Sequence, residues 1–126
     1  MTGVVLPDQL RAAHAARRAK QAKLGEFDFK EYQSAVKSAA SLVMNSGLLS
    51  NLAFLVSRSE AGKKQAAADI VDWLGNWRRD ILPTQKVEVV KFLEELSQVT
   101  SEKYLEISDE AMAYLRWLRQ MVSVMG

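Results

Sequence analysis

Tyr32-Gln-Ser-Ala-Val-Lys-Ser-Ala-Ala-Ser-Leu-Val-Met-Asn-Ser-Gly-Leu-Leu-Ser-Asn-Leu-Ala-Phe-Leu-Val-Ser-Arg58 reads as two helices that meet at Gly47. Before the glycine, Phe29, Tyr32, Val36, Ala39, Ala40 and Val43 recur at three- and four-residue steps, so they share one side of a helix. That side is apolar and needs a partner. The opposite side carries Lys30, Ser34, Lys37 and Ser41 at the same spacing, a row of amines and hydroxyls. Gly47 can take positive φ without a Cβ clash, the usual way to close one helix before another begins. After it, Leu48, Leu49, Leu52, Leu55 and Val56 form a face too apolar to be left in water.

Working outward, 126 residues suit one domain, large enough to build a core without disulfides or metals. Cysteine is absent, which removes disulfides, thiol nucleophiles and Cys-ligated zinc, and makes an intracellular setting the default. The net charge of +2 says little, but its distribution says more. Arg11, Arg17, Arg18, Lys20 and Lys23 lie between Gln9 and Gly25 with no acid among them, and the acids collect in the second half. One flank of the molecule is therefore expected to carry positive potential. No apolar run approaches the length of a membrane span and none follows a basic start, so the expectation is a soluble, cytoplasmic protein.

Pro7 sits where a first helical turn begins, and the Ala, Arg and Lys that follow are good helix formers up to Gly25. Ala12, Ala15, Ala16, Ala19 and Ala22 share one side of this helix, and Arg11, His14, Arg18 and Gln21 the opposite one. With no acid at i±4, the basic row gains nothing from pairs within its own helix. His14, set among arginines, reads as a surface residue. Ser59–Gln65 reads as a connection; its Gly62-Lys63 lacks the upstream glycine, following Ser or Thr, and preceding strand of a phosphate loop. From Ala66 to Leu82 the apolar positions Ala66, Ile70, Trp73, Leu74, Trp77 and Ile81 predict a helix, with both tryptophans as core residues in preference to a base-stacking platform. Asp69 and Asp72 share a turn but make a weak cation site. Pro83 ends that helix and Thr84 caps the next, which runs to about Val99 with Glu88, Lys91 and Glu95 outside. Thr100–Ser108 is expected to be a connection or short helix. Ser108 then caps a last helix whose Ala111, Tyr114, Leu115, Leu118, Met121, Val122 and Met125 face inward and whose Arg116 and Arg119 face outward.

No run alternates with period two, so no strand is expected. The fold class is all-α, a compact single-domain bundle of about six helices over residues 1–126, with a basic Ala-rich helix in 1–25 and the bundle core in 28–126. Catalytic constellations are missing: the one His has no Ser and Asp partners in any recognised local motif, and there is no His-Glu-x-x-His or glycine-rich loop after a strand. Glu94-Glu95 and Asp109-Glu110 are adjacent pairs that point to different sides of a helix. The expectation is a binding or scaffolding module, not an enzyme, with no catalytic residue, cofactor, metal or small-molecule substrate.

Tyr32-Gln-Ser-Ala-Val-Lys37, then Gly47-Leu-Leu-x-x-Leu-Ala-Phe-Leu55 with Arg58, then Tyr104, and finally Glu110-Ala-Met-Ala-Tyr-Leu-x-Trp-Leu-Arg119 together resemble the small subunit of the type III-B CRISPR effector, the Cmr complex. The resemblance covers most of the chain from Tyr32 onward, and departs from the usual pattern at Ala40 and Ser46. It implies a helical bundle without catalytic activity. Copies would stack head to tail into the shorter filament of a ribonucleoprotein for antiviral defence, beside the backbone subunits and the large subunit. The guide-paired target RNA would lie between the filaments. Lys37 falls at a position that is basic in the family, and Arg119 belongs to the Trp-Leu-Arg element.

The matching mechanism is electrostatic contact with phosphates, without base reading. The expected RNA-binding residues are Lys37, Lys30, Arg17, Arg18, Lys20 and Arg119. Two rivals come from other classes. A helix-turn-helix DNA-binding regulator is disfavoured because Leu48, Leu49 and Leu52 give a recognition helix no polar reach. A helical protein-protein scaffold without nucleic acid would turn its basic face to an acidic partner.

Overall fold

The structure is a computed structural model, and it describes residues 7–77 and 88–126. The chain is all-helical: α1 (Pro7–Leu24), α2 (Phe29–Ser46), α3 (Leu48–Ser57), α4 (Ala61–Trp77), α5 (Val89–Leu96) and α6 (Ser101–Met125), with no strand among the described residues. The long α6 is the spine. α1 packs mainly along it, α2 packs on both α4 and α6, α3 packs on α2 and α4, and α5 packs on α3 and α4.

The elbow at Gly47 forms as its sequence predicts. Gly47 has φ of 90°, donates its N–H to the Val43 carbonyl and accepts from the Asn51 N–H, so one residue ends α2 and starts α3. Tyr104 of α6 reaches this corner, where its hydroxyl accepts from the Leu49 N–H at 3.1 Å. Asp28 starts α2 by accepting from the Lys30 N–H at 2.9 Å. The apolar stripes converge on one core: Tyr32, Val36 and Ala39 of α2, Leu48 and Leu52 of α3, Ile70 and Leu74 of α4, and Leu115, Leu118 and Val122 of α6 are all sealed from solvent. Ala15, Ala19 and Ala22 are buried too, so the small-residue stripe of α1 is a helix-packing face as expected.

Three boundaries differ from the sequence reading. α4 begins at Ala61, so most of the expected connection 59–65 is helix, and Gly62 belongs to its first turn. That glycine is there for contact: a Cβ on it would lie 2.7 Å from the Tyr32 nitrogen and 2.8 Å from the Glu31 Cβ, so α2 and α4 cross backbone to backbone. α6 begins at Ser101, capped by Thr100, whose hydroxyl accepts from the Lys103 N–H at 3.3 Å. Thr100–Ser108 is thus the first part of one 25-residue helix and Ser108 caps nothing. No Gly or Pro interrupts residues 101–108, and burial of Ile107 and docking of Tyr104 outweigh the local cap signal at Ser108. α5 ends at Leu96, short of Val99. The expected roles of Ile81, Leu82, Pro83 and Thr84 lie outside the described residues.

Candidate nucleic-acid interface

The row Arg11, His14 and Arg18 does not face water. It is the seam by which α1 is fastened to α4 and α6. Arg11 grips Glu110 with two parallel bonds, Nε to Oε2 at 2.6 Å and Nη2 to Oε1 at 2.7 Å, and its Nη1 reaches Asp8 at 2.8 Å. Glu110 is buried and also accepts from the Trp73 indole N–H at 2.8 Å. Arg18 donates from Nε to Asp69 at 2.7 Å, and Asp69, 1 % exposed, takes two further bonds from the Tyr32 hydroxyl and the Gln65 amide. Guanidinium–carboxylate pairs of this kind suit partly desolvated sites. The Glu110 bonds hold the Arg11 cation charged against burial. At Arg18, burial opposes the charge and the Asp69 carboxylate outweighs it.

His14 corrects the sequence reading. It is 7 % exposed, between Asp72, whose Oδ2 lies 2.7 Å from Nε2, and the Tyr114 hydroxyl, 2.6 Å from Nδ1. A carboxylate only accepts, which puts the proton of the neutral ring on Nε2 and leaves Nδ1 to accept from Tyr114. Burial pushes the imidazole below its ordinary range, and the Arg18 and Arg17 charges push the same way, against the pull of Asp72. Asp72, His14 and Tyr114 form an acid, base and hydroxyl in line. Tyr114 is sealed from solvent and burial holds its phenol protonated, so the hydroxyl end of this chain of groups is closed, while His14 and Asp72 border a groove. Asp69 and Asp72 are thus used internally, and the described residues hold no group of three or more potential metal ligands.

Trp73 lies parallel to Tyr114, ring centroids 5.4 Å apart at 8°, with His14 on its edge, so it is committed to the interior as expected. Trp77 is partly buried and packs against the core. Both line a groove between α1 and α4 with Leu10, His14, Arg17 and Asp72.

The remaining expected contacts are exposed. Lys30, Ser34, Lys37 and Ser41 form the predicted outer row of α2, and no described carboxylate pairs with either lysine. Lys30, Gln33, Ser34, Lys37 and Ser38 line one shallow trough. Arg119 is exposed on α6 and shares a hollow with Arg116 and with Ala40, three residues on from Lys37, which carries the basic row across the α2–α6 seam. Arg116 belongs with this group; its signal in the sequence was its position three residues before Arg119. Arg17 and Lys20 stand on the outer side of α1. Of the six expected residues, Lys30, Lys37 and Arg119 gather along α2 and α6, Arg17 and Lys20 lie on α1, and Arg18 is held by a buried acid.

The fold and the site define an all-helical bundle with an open basic seam along α2 and α6. Residues 7–125 match the family of CRISPR-associated proteins designated Cas_Cmr5. The chain belongs to this Cmr5 family, the small subunits of the type III-B Cmr complex. Among solved structures it is similar to a CRISPR-associated Cmr5 family protein from Thermus thermophilus, at 22% identity and a TM-score of 0.82, over 97% of this chain and 98% of that one. That likeness establishes the fold. No curated protein matches. None of the described helices is long and apolar enough to cross a membrane.

Proposed function

We propose that the chain is a non-catalytic subunit that stacks with further copies of itself into the shorter filament of the Cmr complex, beside the large subunit and the backbone subunits. There it holds guide-paired target RNA by its phosphates. The observation that carries this reading is the exposed row of Lys30 and Lys37, free of any described carboxylate, with Arg116 and Arg119 across the seam. Arg17 and Lys20 extend the positive surface along α1. Arg18 contributes by placing α1, since its Nε is occupied by Asp69. Ammonium groups and hydroxyls in a row bind phosphates without selecting bases, which suits a subunit whose target is chosen by the guide.

The test is target-RNA affinity of the reconstituted complex as a function of salt. Lys30→Ala with Lys37→Ala lowers affinity for all target sequences alike and reduces the slope of log K against log salt by about 1 for each phosphate that a copy no longer neutralises. An unchanged slope removes this row as the contact surface.

A further inference from the structure

The outer stripe of α6 carries opposite charges at its two ends. Glu102, Leu105, Asp109, Met112, Arg116, Arg119 and Ser123 recur at steps of three and four, the spacing of a seam between paired helices. Glu102, Asp109, Arg116 and Arg119 are exposed, and none of them is within ion-pair reach of an opposite charge among the described residues. The other exposed charges of the first half, Lys103 and Glu106, cancel. That half is therefore negative, and the half from Arg116 onward is positive.

The same stripe has a place for a side chain. Arg116, Trp117, Gln120, Met121 and Val124 line a half-open hollow of about 410 Å³, and Val124 is 73 % exposed. The Trp117 indole N–H donates to Asp8 at 3.2 Å, which fixes one wall. On the acidic half Leu105 is 62 % exposed and takes no part in the core.

These features select the occupant. An RNA strand laid along the stripe would meet Glu102 and Asp109 as well as the arginines, and like charge repels it from the first half. A second α6 laid antiparallel meets each half with its opposite, whereas a parallel one sets acid on acid. With Asp109 opposite Arg116 of the second copy, the register also puts Leu105 opposite Gln120, at the middle of the hollow, and Glu102 opposite Ser123. Met112 and Ala113 then face each other across the two-fold axis, where the small alanine lets the helices come close. One register thus serves both the charges and the hollow, and symmetry repeats each contact.

We propose that two free copies of the chain pair through antiparallel α6 helices, with Leu105 of each in the hollow of the other and Asp109 of each against the other's Arg116. The contact is isologous and closes at two, unlike an open head-to-tail stack. It occupies Arg116, so the pair separates before that arginine can reach RNA. Lys30 and Lys37 line a different trough, and failure of the pairing would leave the RNA reading of the lysine row standing.

The test is sedimentation equilibrium of the full 126-residue chain at low salt, at concentrations up to about 1 mM. The expected result is a monomer–dimer equilibrium that weakens as salt is added. Asp109→Arg, Arg116→Asp and Leu105→Ser, all at exposed positions where substitution spares the fold, each lower the association constant at least tenfold. Mixing the Asp109→Arg and Arg116→Asp chains in equal amounts restores association, because in an antiparallel pair every substituted residue then meets the opposite charge. Three results each overturn the proposal: a chain that stays monomeric over this range, association that continues past two, or a mixture that associates no better than either variant alone.

Discussion

Two guanidinium groups of α1, those of Arg11 and Arg18, and the ammonium groups of α2 point opposite ways. Arg11 and Arg18 reach inward to Glu110 and Asp69, and Lys30 and Lys37 reach out to water. Both rows have helical spacing and no acid of their own helix at i±4. What separates them is supplied by other helices, because α4 and α6 each bury a carboxylate that is costly to keep without a cation against it. Positive residues on one face of a helix are therefore of two kinds, those that fasten the helix and those left over to bind something else. Only the second kind can neutralise a phosphate without first giving up a partner.

The strongest way to break this distinction is Asp69→Ala. It leaves Arg18, the Tyr32 hydroxyl and the Gln65 amide facing an empty site, and breaking a buried charge pair by removing one member costs about 3–5 kcal/mol. Urea denaturation should show a midpoint lowered accordingly with little change in slope. A loss under about 1 kcal/mol would mean that the Arg18–Asp69 pair does little to hold α1.

Arg11→Lys keeps the charge and removes the fork. An ammonium cannot make both bonds to Glu110 and the bond to Asp8 in this geometry. The expected loss is about 1.5–3 kcal/mol, the range for hydrogen bonds to charged groups. The corresponding change on α2 would be Lys37→Arg, which should leave stability unchanged. Equal effects at the two positions would erase the difference between the rows.

His14 tests the same seam by pH. Its folded pKa lies below the ordinary value of 6.5, so on acidification the unfolded chain takes up a proton that the folded chain resists. Stability is therefore highest above the ordinary value and falls as the pH drops through 6.5 toward the lower folded pKa. The chain has one His, so a set of Tm measurements from about pH 7.5 to about 5.5, spanning the ordinary histidine range, isolates it. His14→Gln should flatten that decline whatever it does to stability at the upper end. A decline of the same steepness in the variant would assign it to other groups.

The fold was legible because its stripes are strong: the Gly47 elbow, the α2 and α3 faces and the Ala seam of α1 all follow from spacing. The division of the cations was not, although its signal was present. Asp69 lies between Ala66 and Ile70 on the inward side of α4, and Glu110 lies between Ile107 and Tyr114 on the inward side of α6. An acid on an apolar stripe announces a cation arriving from elsewhere. Glu110 was hidden because Ser108 looked like a cap, which placed the glutamate in a first turn where it would serve the helix dipole. Which cation reaches each acid depends on how helices far apart in sequence are packed, and spacing within one helix carries no such information.

The smallest expected effect is also the sharpest test. Lys30→Ala and Lys37→Ala remove charges that touch no described carboxylate, so the free protein should keep its stability to within about 0.5 kcal/mol, as exposed surface substitutions do. If the lysines are instead anchors of the α1 kind, the same substitutions will lower the unfolding midpoint before any RNA is added. Measured side by side, Asp69→Ala should unfold the chain more easily, whereas the lysine pair should leave folding alone and weaken only the salt-dependent grip on RNA in the assembled complex. A stable protein with a reduced salt slope is the combination that an exposed, unpaired ammonium row requires and that a structural role for these lysines forbids.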